Sequence, residues 1–134
     1  MATMNLSIVT PVGSLVEAEV SEVTVPGAAG IFGVYPNHQP ALVMLGGGEL
    51  TYQGVEENGQ VLIRGGVAEI SGDTILIITD HAELPGDADR EAAETILESA
   101  MQGPQDGEIL DDIVLARITK DRAYAEAVLK TAGH

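Results

Sequence analysis

The sequence predicts an α+β fold, in which an N-terminal β-sandwich (a flattened barrel) is followed by a C-terminal αα-hairpin. Three observations lead to this prediction. As far as residue 84, short apolar runs with strand periodicity alternate with turn residues. Beyond residue 86 the apolar residues recur at helical spacing, and Pro85-Gly86 separates the two parts. We therefore expect a sandwich domain over residues 1–86 and a helical hairpin domain over residues 87–134.

Strand patterns fill the first part, and no helical pattern interrupts them. A break in the alternation at Ser21-Glu22 predicts a β-bulge. Glycine-rich segments predict turns between strands, among them Gly46-Gly47-Gly48 and Gly65-Gly66. Many short strands in succession favour a sandwich or flattened barrel. The predicted strands span residues 5–9, 19–25, 60–64, 67–70 and 74–79.

Two helices are predicted in the second part, over residues 87–101 and 109–131. Asp87 follows the Pro-Gly break and is the expected N-cap of the first helix. A short loop between two helices of this length predicts an antiparallel hairpin. Such a hairpin has too little apolar surface to be stable alone. We therefore expect it to pack on the sandwich or on a partner, and to be able to switch between them.

Charge excludes several classes of function. With 21 acidic and 6 basic residues the net charge is −15, which argues against nucleic acid and anionic lipid as partners. No cysteine is present, so disulfides and thiolate sites are excluded. No apolar run approaches the roughly 20 residues that a membrane span needs, so direct membrane insertion is not expected. The three histidines, His38, His81 and His134, lack metal-ligand spacing, and neither a metal nor a cofactor is expected.

Two segments superficially resemble catalytic or nucleotide-binding motifs. Gly46-Gly47-Gly48 lacks the Lys-Ser/Thr ending of a phosphate loop, and a strand connection explains it better. Asp80 and His81 could form part of a catalytic dyad, but no serine or cysteine nucleophile accompanies them. No catalytic residue is therefore predicted, and a hydrolase remains a weak alternative.

The basic residues are concentrated near the C-terminal end. Arg64 is the one basic residue among the first 84, whereas Arg117, Lys120, Arg122 and Lys130 fall within fourteen residues. This cluster indicates a docking surface for an acidic partner, and a merely solvated helix face is the alternative. Asp121, four residues after Arg117, is expected to neutralise that arginine in part.

Residues 25–40, VPGAAGIFGVYPNHQP, carry glycines, prolines and a histidine in a distinctive order. This segment closely resembles the signature of the epsilon subunit of F-type ATP synthases, which corresponds to the mitochondrial delta subunit. Residues 64–70 and 77–83 resemble further elements of that family, in the same order. The resemblance covers nearly the whole chain. A free-standing acidic β-sandwich binding module with a helical hairpin is the alternative from another class.

The resemblance implies a non-catalytic rotor subunit of the central stalk. Such a subunit couples proton or sodium translocation through the c ring to ATP synthesis and modulates ATP hydrolysis. One side of its sandwich packs on the gamma subunit, and its hairpin approaches the alpha and beta subunits. The implied location is peripheral, on the cytoplasmic face of a bacterial plasma membrane. The implied c-ring contacts are Gly30, Ile31, Phe32, Tyr35 and His38, and the implied inhibitory contacts to beta subunits are Arg117, Lys120, Arg122 and Lys130.

Two departures from the family pattern modify these expectations. Ile31 stands where bacterial relatives often have an acidic residue, so the c-ring contact should be more apolar. Many relatives also carry an ATP-binding motif at the start of the first helix, which aligns with residues 88–93. Asp89 matches that motif, but Ala92 replaces its arginine, and Arg90 lies on a different helix face. Because a guanidinium is a strong phosphate partner, the ATP-binding site is expected to be degenerate.

Overall fold

The computed structural model describes residues 2–131 and contains a strand-rich part followed by two helices. This arrangement confirms the predicted α+β fold. His134 and the end of the predicted hairpin domain lie outside the described residues. The strands are β1 (Met4–Thr10), β2 (Gly13–Gly27), β3 (Gly30–Val34), β4 (His38–Gly54), β5 (Asn58–Gly72), β6 (Thr74–Ile78) and β7 (Ala82–Glu83); a 3-10 turn (Pro85–Asp87) precedes α1 (Arg90–Gln102) and α2 (Asp112–Thr131).

Five strands form one sheet that closes on itself. Antiparallel pairing joins β6 to β5, β5 to β4, β4 to β2 and β2 to β1. The ring is completed by a parallel pairing of β1 with β6, in which Leu6 lies opposite Ile75. β3 extends the sheet from β2, and β7 pairs with the first half of β5. The result is the flattened barrel that the strand pattern predicts.

The predicted bulge is confirmed, because Val20 pairs with Gly54 and Glu22 with Gln53, which leaves Ser21 without a partner in that ladder. The predicted turns at Gly46-Gly47-Gly48 and Gly65-Gly66 are wrong. Both segments lie inside single long strands, β4 and β5, whose pairing continues through them. The φ angles of Gly65 and Gly66 are +86° and +126°. These values bend β5 sharply without ending its ladder.

Two separate apolar clusters stabilise the molecule. The larger fills the barrel with aliphatic side chains of its strands, and each such side chain contributes roughly 1.5–3 kcal/mol when it leaves water. Its fully buried members include Leu6, Ile8, Val20, Leu50, Ile63, Ile70, Ile75 and Ile77. The smaller cluster joins the hairpin to the outside of the barrel and consists of Leu62, Ala93, Tyr124, Ala125 and Val128.

The helices begin later than predicted. Asp87 belongs to the 3-10 turn and caps no α-helix, so its predicted role is wrong. The N-cap of α1 is Asp89, whose carboxylate accepts a hydrogen bond from the Ala92 N–H at 3.1 Å. The carboxylate of Asp111 accepts a hydrogen bond from the Val114 N–H at 2.9 Å and caps α2 in the same way. Pro85 at the start of the 3-10 turn and an extended Ala88 delay α1 by three residues.

We predict that residues 1–86 fold without the hairpin, because no hairpin residue belongs to the barrel cluster. Solvent exposure of Leu62 on the outer surface should make the fragment less stable by about 1.5–3 kcal/mol. Urea unfolding followed by circular dichroism tests this. A fragment without a cooperative transition would show that the hairpin is part of the core.

Candidate functional site

β3 presents the first of three candidate surfaces. Because side chains alternate along a strand, Ile31 and Tyr35 point outward while Phe32 points towards the core. Ile31 is 84% exposed and Tyr35 57% exposed, whereas Phe32 is half-buried and packs on the barrel cluster. Gly30 begins the strand with φ at +139° and is exposed. We call Gly30, Ile31 and Tyr35 the β3 surface.

Phe32 and His38 support this surface from behind. Their rings meet edge to face with centroids 5.7 Å apart and planes inclined at 72°. The Nδ1 of His38 lies 2.7 Å from the carbonyl oxygen of Gln39. Asn37 adopts a left-handed conformation in the β3–β4 turn, and its N–H donates to the carbonyl of Gly72 at 3.2 Å. The five sequence-predicted residues are thus adjacent, but two of them are half-buried supports.

An exposed apolar area covers the outer face of β4, β5 and β6. Met44 pairs with Val67, which pairs with Ile78, so the three form one row across the sheet. Leu42 and Leu76 flank Glu69 in the next row. Leu42 is 70% exposed, Met44 61% and Ile78 52%. We call Leu42, Met44, Val67, Leu76 and Ile78 the outer sheet face.

The outer sheet face was not predicted from the sequence. A signal for it exists, because residues 41–45 and 75–78 are unbroken apolar runs rather than alternating patterns. Unbroken runs are typical of strands that are covered on both faces. Here the inner face is buried in the barrel while the outer face is open. An exposed apolar patch of this kind on a chain of high net charge indicates a protein interface.

The third surface is the junction at which α2 packs across β4 and β5. The Arg64 Nε donates to the Asp121 carboxylate at 2.8 Å, and the guanidinium lies 5.7 Å from the centre of the Tyr124 ring. The Tyr124 hydroxyl donates to the Glu83 carboxylate. The Nε2 of His81 lies 2.9 Å from that hydroxyl and 3.4 Å from Glu83. These contacts hold α2 against the barrel.

The junction gives His81 a structural partner. Because the hydroxyl proton of Tyr124 goes to Glu83, His81 Nε2 is the donor towards the phenol oxygen. Asp80, the other half of the suggested catalytic dyad, is exposed. The hydrolase hypothesis therefore gains no support from the geometry.

Protonation at the junction follows from burial and charge. Burial raises the pKa of Tyr124, and the hydrogen bond to Glu83 and the charge of that carboxylate raise it further. The hydrogen bond to Asp121 raises the pKa of Arg64.

The basic residues of α2 do not share one environment. Arg117 forms a two-pronged ion pair with Glu108, with 2.8 Å between Nη2 and Oε1. Asp121 forms its ion pair with Arg64 rather than with Arg117, but its charge still helps to raise the pKa of Arg117, after the hydrogen bond and charge of Glu108. The hydrogen bonds from Arg117 and from the Gln105 N–H lower the pKa of Glu108 to about 2. Arg122 pairs with Glu126 at 2.9 Å on the surface, Lys130 is exposed, and Lys120 is half-buried.

Residues 88–93, which align with the ATP-binding motif, make other contacts in this structure. Asp89 caps α1, and Ala92 is exposed and offers no polar side-chain atom. The guanidinium of Arg90 lies 3.4 Å from Glu94 on the same helix. Among the residues that align with the motif, none has a guanidinium at the position of Ala92.

Comparisons with known proteins agree on one family. Residues 3–85 match the family described as ATP synthase, Delta/Epsilon chain, beta-sandwich domain. An ATP synthase epsilon chain of Leptospira borgpetersenii is 37% identical over 94 residues, which cover 70% of this chain and 74% of that one. The Helicobacter hepaticus epsilon chain is 36% identical over 90% of this chain and 95% of its own length. The Neisseria meningitidis epsilon chain is 32% identical over 98% of this chain and 94% of its own length.

Solved structures with the same fold include chains from two mitochondrial complexes. A chain of the Euglena gracilis mitochondrial ATP synthase, solved as OSCP/F1/c-ring, superposes with a TM-score of 0.71 at 23% identity. It covers all of this chain and 83% of its own length. A chain of the Tetrahymena thermophila mitochondrial ATP synthase, solved as central stalk and c ring, superposes with a TM-score of 0.61 at 15% identity. It covers 93% of this chain and 96% of its own length. At these identities the likeness is one of fold.

We predict that alkali weakens the junction through Tyr124. Because the pKa of Tyr124 is raised in the folded chain, its contribution is complete below about pH 10, the ordinary tyrosine value, and is lost as pH rises above it. As the pH is raised from about 10 to 12, the urea concentration at the unfolding midpoint should decrease in the parent. It should decrease less in Tyr124→Phe and in Glu83→Gln. Urea unfolding across this range measures the effect. Equal pH dependence in all three proteins would contradict it.

Proposed function

The chain belongs to the family of ATP synthase delta/epsilon chains, and from that premise we propose that it is a central-stalk rotor subunit that couples ion flow through the c ring to ATP synthesis. Its role is non-catalytic, and bond formation takes place on the beta subunits of the complex. The sandwich, residues 1–86, contacts the rotor, and the hairpin, from residue 87 onward, regulates hydrolysis. The complex lies at the cytoplasmic face of a bacterial plasma membrane. In the described part of the chain, neither helix is long and apolar enough to cross a membrane.

The observation that carries this proposal is the outer sheet face. Leu42, Met44 and Ile78 are each more than half exposed on a chain of net charge −15. Burial of such a face against a partner is strongly favourable, since apolar area contributes roughly 25 cal/mol per Å². We assign this face to the gamma subunit. On this face β5 and β6 are paired on both sides and β4 is paired with β5, which gives a firm sheet for a contact that transmits torque.

The β3 surface is assigned to the c ring. Ile31 and Tyr35 are its exposed side chains, and Phe32 with His38 fixes their position from behind. Ile31 is apolar, so this contact relies on packing and burial rather than on an ion pair. The five residues Gly30, Ile31, Phe32, Tyr35 and His38 therefore act together, three as contacts and two as supports.

The hairpin is assigned to the catalytic beta subunits, whose acidic loops would meet the cations of α2. Arg122 and Lys130 are exposed on the docked hairpin, whereas Arg117 is paired with Glu108 and Lys120 is half-buried. Engagement of Lys120 therefore requires α2 to leave the barrel. Engagement of Arg117 requires it to exchange Glu108, which lies in the loop between the two helices, for the partner. ATP is not expected to hold the hairpin down, because Ala92 offers no group for a phosphate.

We predict that Met44→Lys weakens association with the gamma subunit by at least about tenfold, because it places a charge within a buried apolar interface. Met44 is 61% exposed in the free chain, so folding should be unaffected. Val12→Lys is the matched control, since Val12 is 99% exposed in the β1–β2 turn. Co-purification and calorimetry with gamma measure the effect. Failure of the parent chain to bind gamma would favour a free-standing binding module.

We predict that changing Arg122 and Lys130 together to Ala raises ATP hydrolysis by the reassembled complex. Each contact at a partly buried interface contributes about 1–3 kcal/mol, and rising salt should shrink the difference from the parent. Lys120 is left unchanged because it also contacts the barrel. Arg90→Ala is the control, since it removes an exposed cation from α1, together with a long hydrogen bond to the Leu129 carbonyl of α2. Parental hydrolysis in the double variant at low salt, with higher hydrolysis after removal of the hairpin, would show that inhibition is steric.

A further inference from the structure

A single carboxylate interrupts the apolar outer sheet face. Glu69 is exposed, whereas its neighbours along β5, Ala68 and Ile70, are buried in the barrel, so the glutamate side chain points outward. It pairs with Leu42 of β4 on one side and with Leu76 of β6 on the other. Residues directly opposite each other in an antiparallel sheet have Cβ atoms about 4.5–5.5 Å apart, so both leucines adjoin this carboxylate.

The rows above and below the carboxylate differ in polarity. On one side lies the apolar row of Met44, Val67 and Ile78. On the other side Ser71 pairs with Thr74, and both side chains are polar and exposed. The carboxylate therefore lies off the centre of the apolar area, between two leucines. A partner that covers both leucines must also cover the carboxylate between them.

In the part of the chain that the structure describes, no cation neutralises Glu69, because none of the ion pairs there includes it. Glu17, which lies in the same row two strands further on, has a different environment. Its carboxylate accepts hydrogen bonds from the hydroxyls of Ser7 at 2.6 Å and Ser14 at 3.1 Å. The leucines beside Glu69 offer no such donors.

The chain has few cations that could serve this carboxylate. Arg64 is the one basic residue among the first 84, and its guanidinium is bonded to Asp121 of α2. All other basic residues lie at or beyond residue 90, in the hairpin part of the chain. Burial of an unpaired carboxylate is costly, and a nearby cation with good geometry offsets that cost. A partner that covers the outer sheet face must therefore supply the cation itself.

We propose that Glu69 determines which partner the outer sheet face accepts, by requiring a lysine or arginine side chain opposite it within an otherwise apolar contact. Arginine suits the site best, because its planar guanidinium can donate two parallel hydrogen bonds to one carboxylate. A partner surface that is apolar throughout would leave the carboxylate buried and unpaired, and is rejected for that reason. This inference rests on the proposed function, since it takes the gamma subunit as the partner.

The same pair would fix the orientation of the partner. Hydrophobic burial is non-directional, so the apolar side chains alone would allow several angles of approach across the strands. An ion pair at Glu69, to one side of the apolar row, allows one of them. The apolar side chains would thus supply most of the binding free energy, and the carboxylate the choice of partner and its direction.

Calorimetry of gamma binding to the full chain tests the proposal with Glu69→Gln and Glu69→Leu. Glutamine keeps the shape of the side chain and removes its charge, whereas leucine makes this row wholly apolar. Glu56→Leu is the matched control, because Glu56 is exposed in the connection between β4 and β5 and lies outside the outer sheet face. Since Glu69 is exposed and has no ion pair, the urea midpoints of its variants should match the parent.

We expect both variants at position 69 to bind gamma about tenfold more weakly or worse, because the partner's cation is left buried without its counter-charge. The loss should persist in high salt, since an enclosed pair is poorly screened. Glu56→Leu should bind as the parent does. The leucine variant is decisive, because at a merely apolar face it would bind gamma more tightly. Parental or tighter binding by either Glu69 variant would overturn the proposal, as would a loss that disappears in high salt.

Failure of the proposed function gives a different result. If the parent chain does not bind gamma, then gamma is not the partner of this face, and the assignment of the cation to gamma is overturned together with the proposed function. If the parent binds gamma and both Glu69 variants bind equally well, the requirement for a cation is overturned while the proposed function stands.

Discussion

The parallel pairing of β1 with β6 is the constraint on which the rest of the molecule depends. It joins residues 5–9 to residues 74–78 and turns an open sheet into a closed one. Without it, both strands would present free edges, and the aliphatic side chains between them would face water. Aliphatic residues dominate this core because the chain has one phenylalanine and no tryptophan. Closure compensates for the scarcity of large aromatic side chains by surrounding many smaller aliphatic ones.

Closure of the barrel also determines where interactions with other molecules can occur. Because the inner faces of the strands are buried in the core, other molecules can bind only outer surfaces, among them the outer sheet face, the strand β3 and the hairpin. β3 pairs with β2 alone among the described strands, so it lies outside the closed ring. The hairpin lies on the opposite flank of β4 from the barrel core, held by a small cluster and a few polar contacts. The outer sheet face is thus part of the closed ring, β3 is attached to it along one edge, and the hairpin is attached by a few side-chain contacts.

Local patterns predicted the strand-rich part, the bulge and the two helices, but they did not predict the long strand β4 or any distant partner. The bulge at Ser21 is visible in the alternation because a bulge changes the pattern within a few residues. The glycines at 46–48 and 65–66 were assigned to turns because sequence gives no measure of whether a bent strand keeps its ladder. Asp121 was matched to Arg117 by helical spacing, but its partner Arg64 lies 57 residues away. The parallel pairing of β1 with β6 is invisible for the same reason.

Candidate contact residues were found by resemblance to a family rather than by chemistry. The segment around Gly30 and His38 was recognised, and the structure then separated its exposed members from its supports. The outer sheet face escaped notice because unbroken apolar runs do not say which of two faces is open. Likewise, the start of α1 was misplaced because Asp87 and Asp89 are both suitable caps, and only the backbone after Pro85 decides between them.

The long strands β4 and β5 have a mechanical consequence. Each passes through a glycine bend and so runs through both layers of the flattened barrel as one continuous chain. Sliding of one layer over the other would require these strands to stretch or their ladder to break, both of which are costly. The barrel should therefore resist shear and turn as a single stiff body. Flexibility would be confined to the glycine bends and to the linker at Pro85.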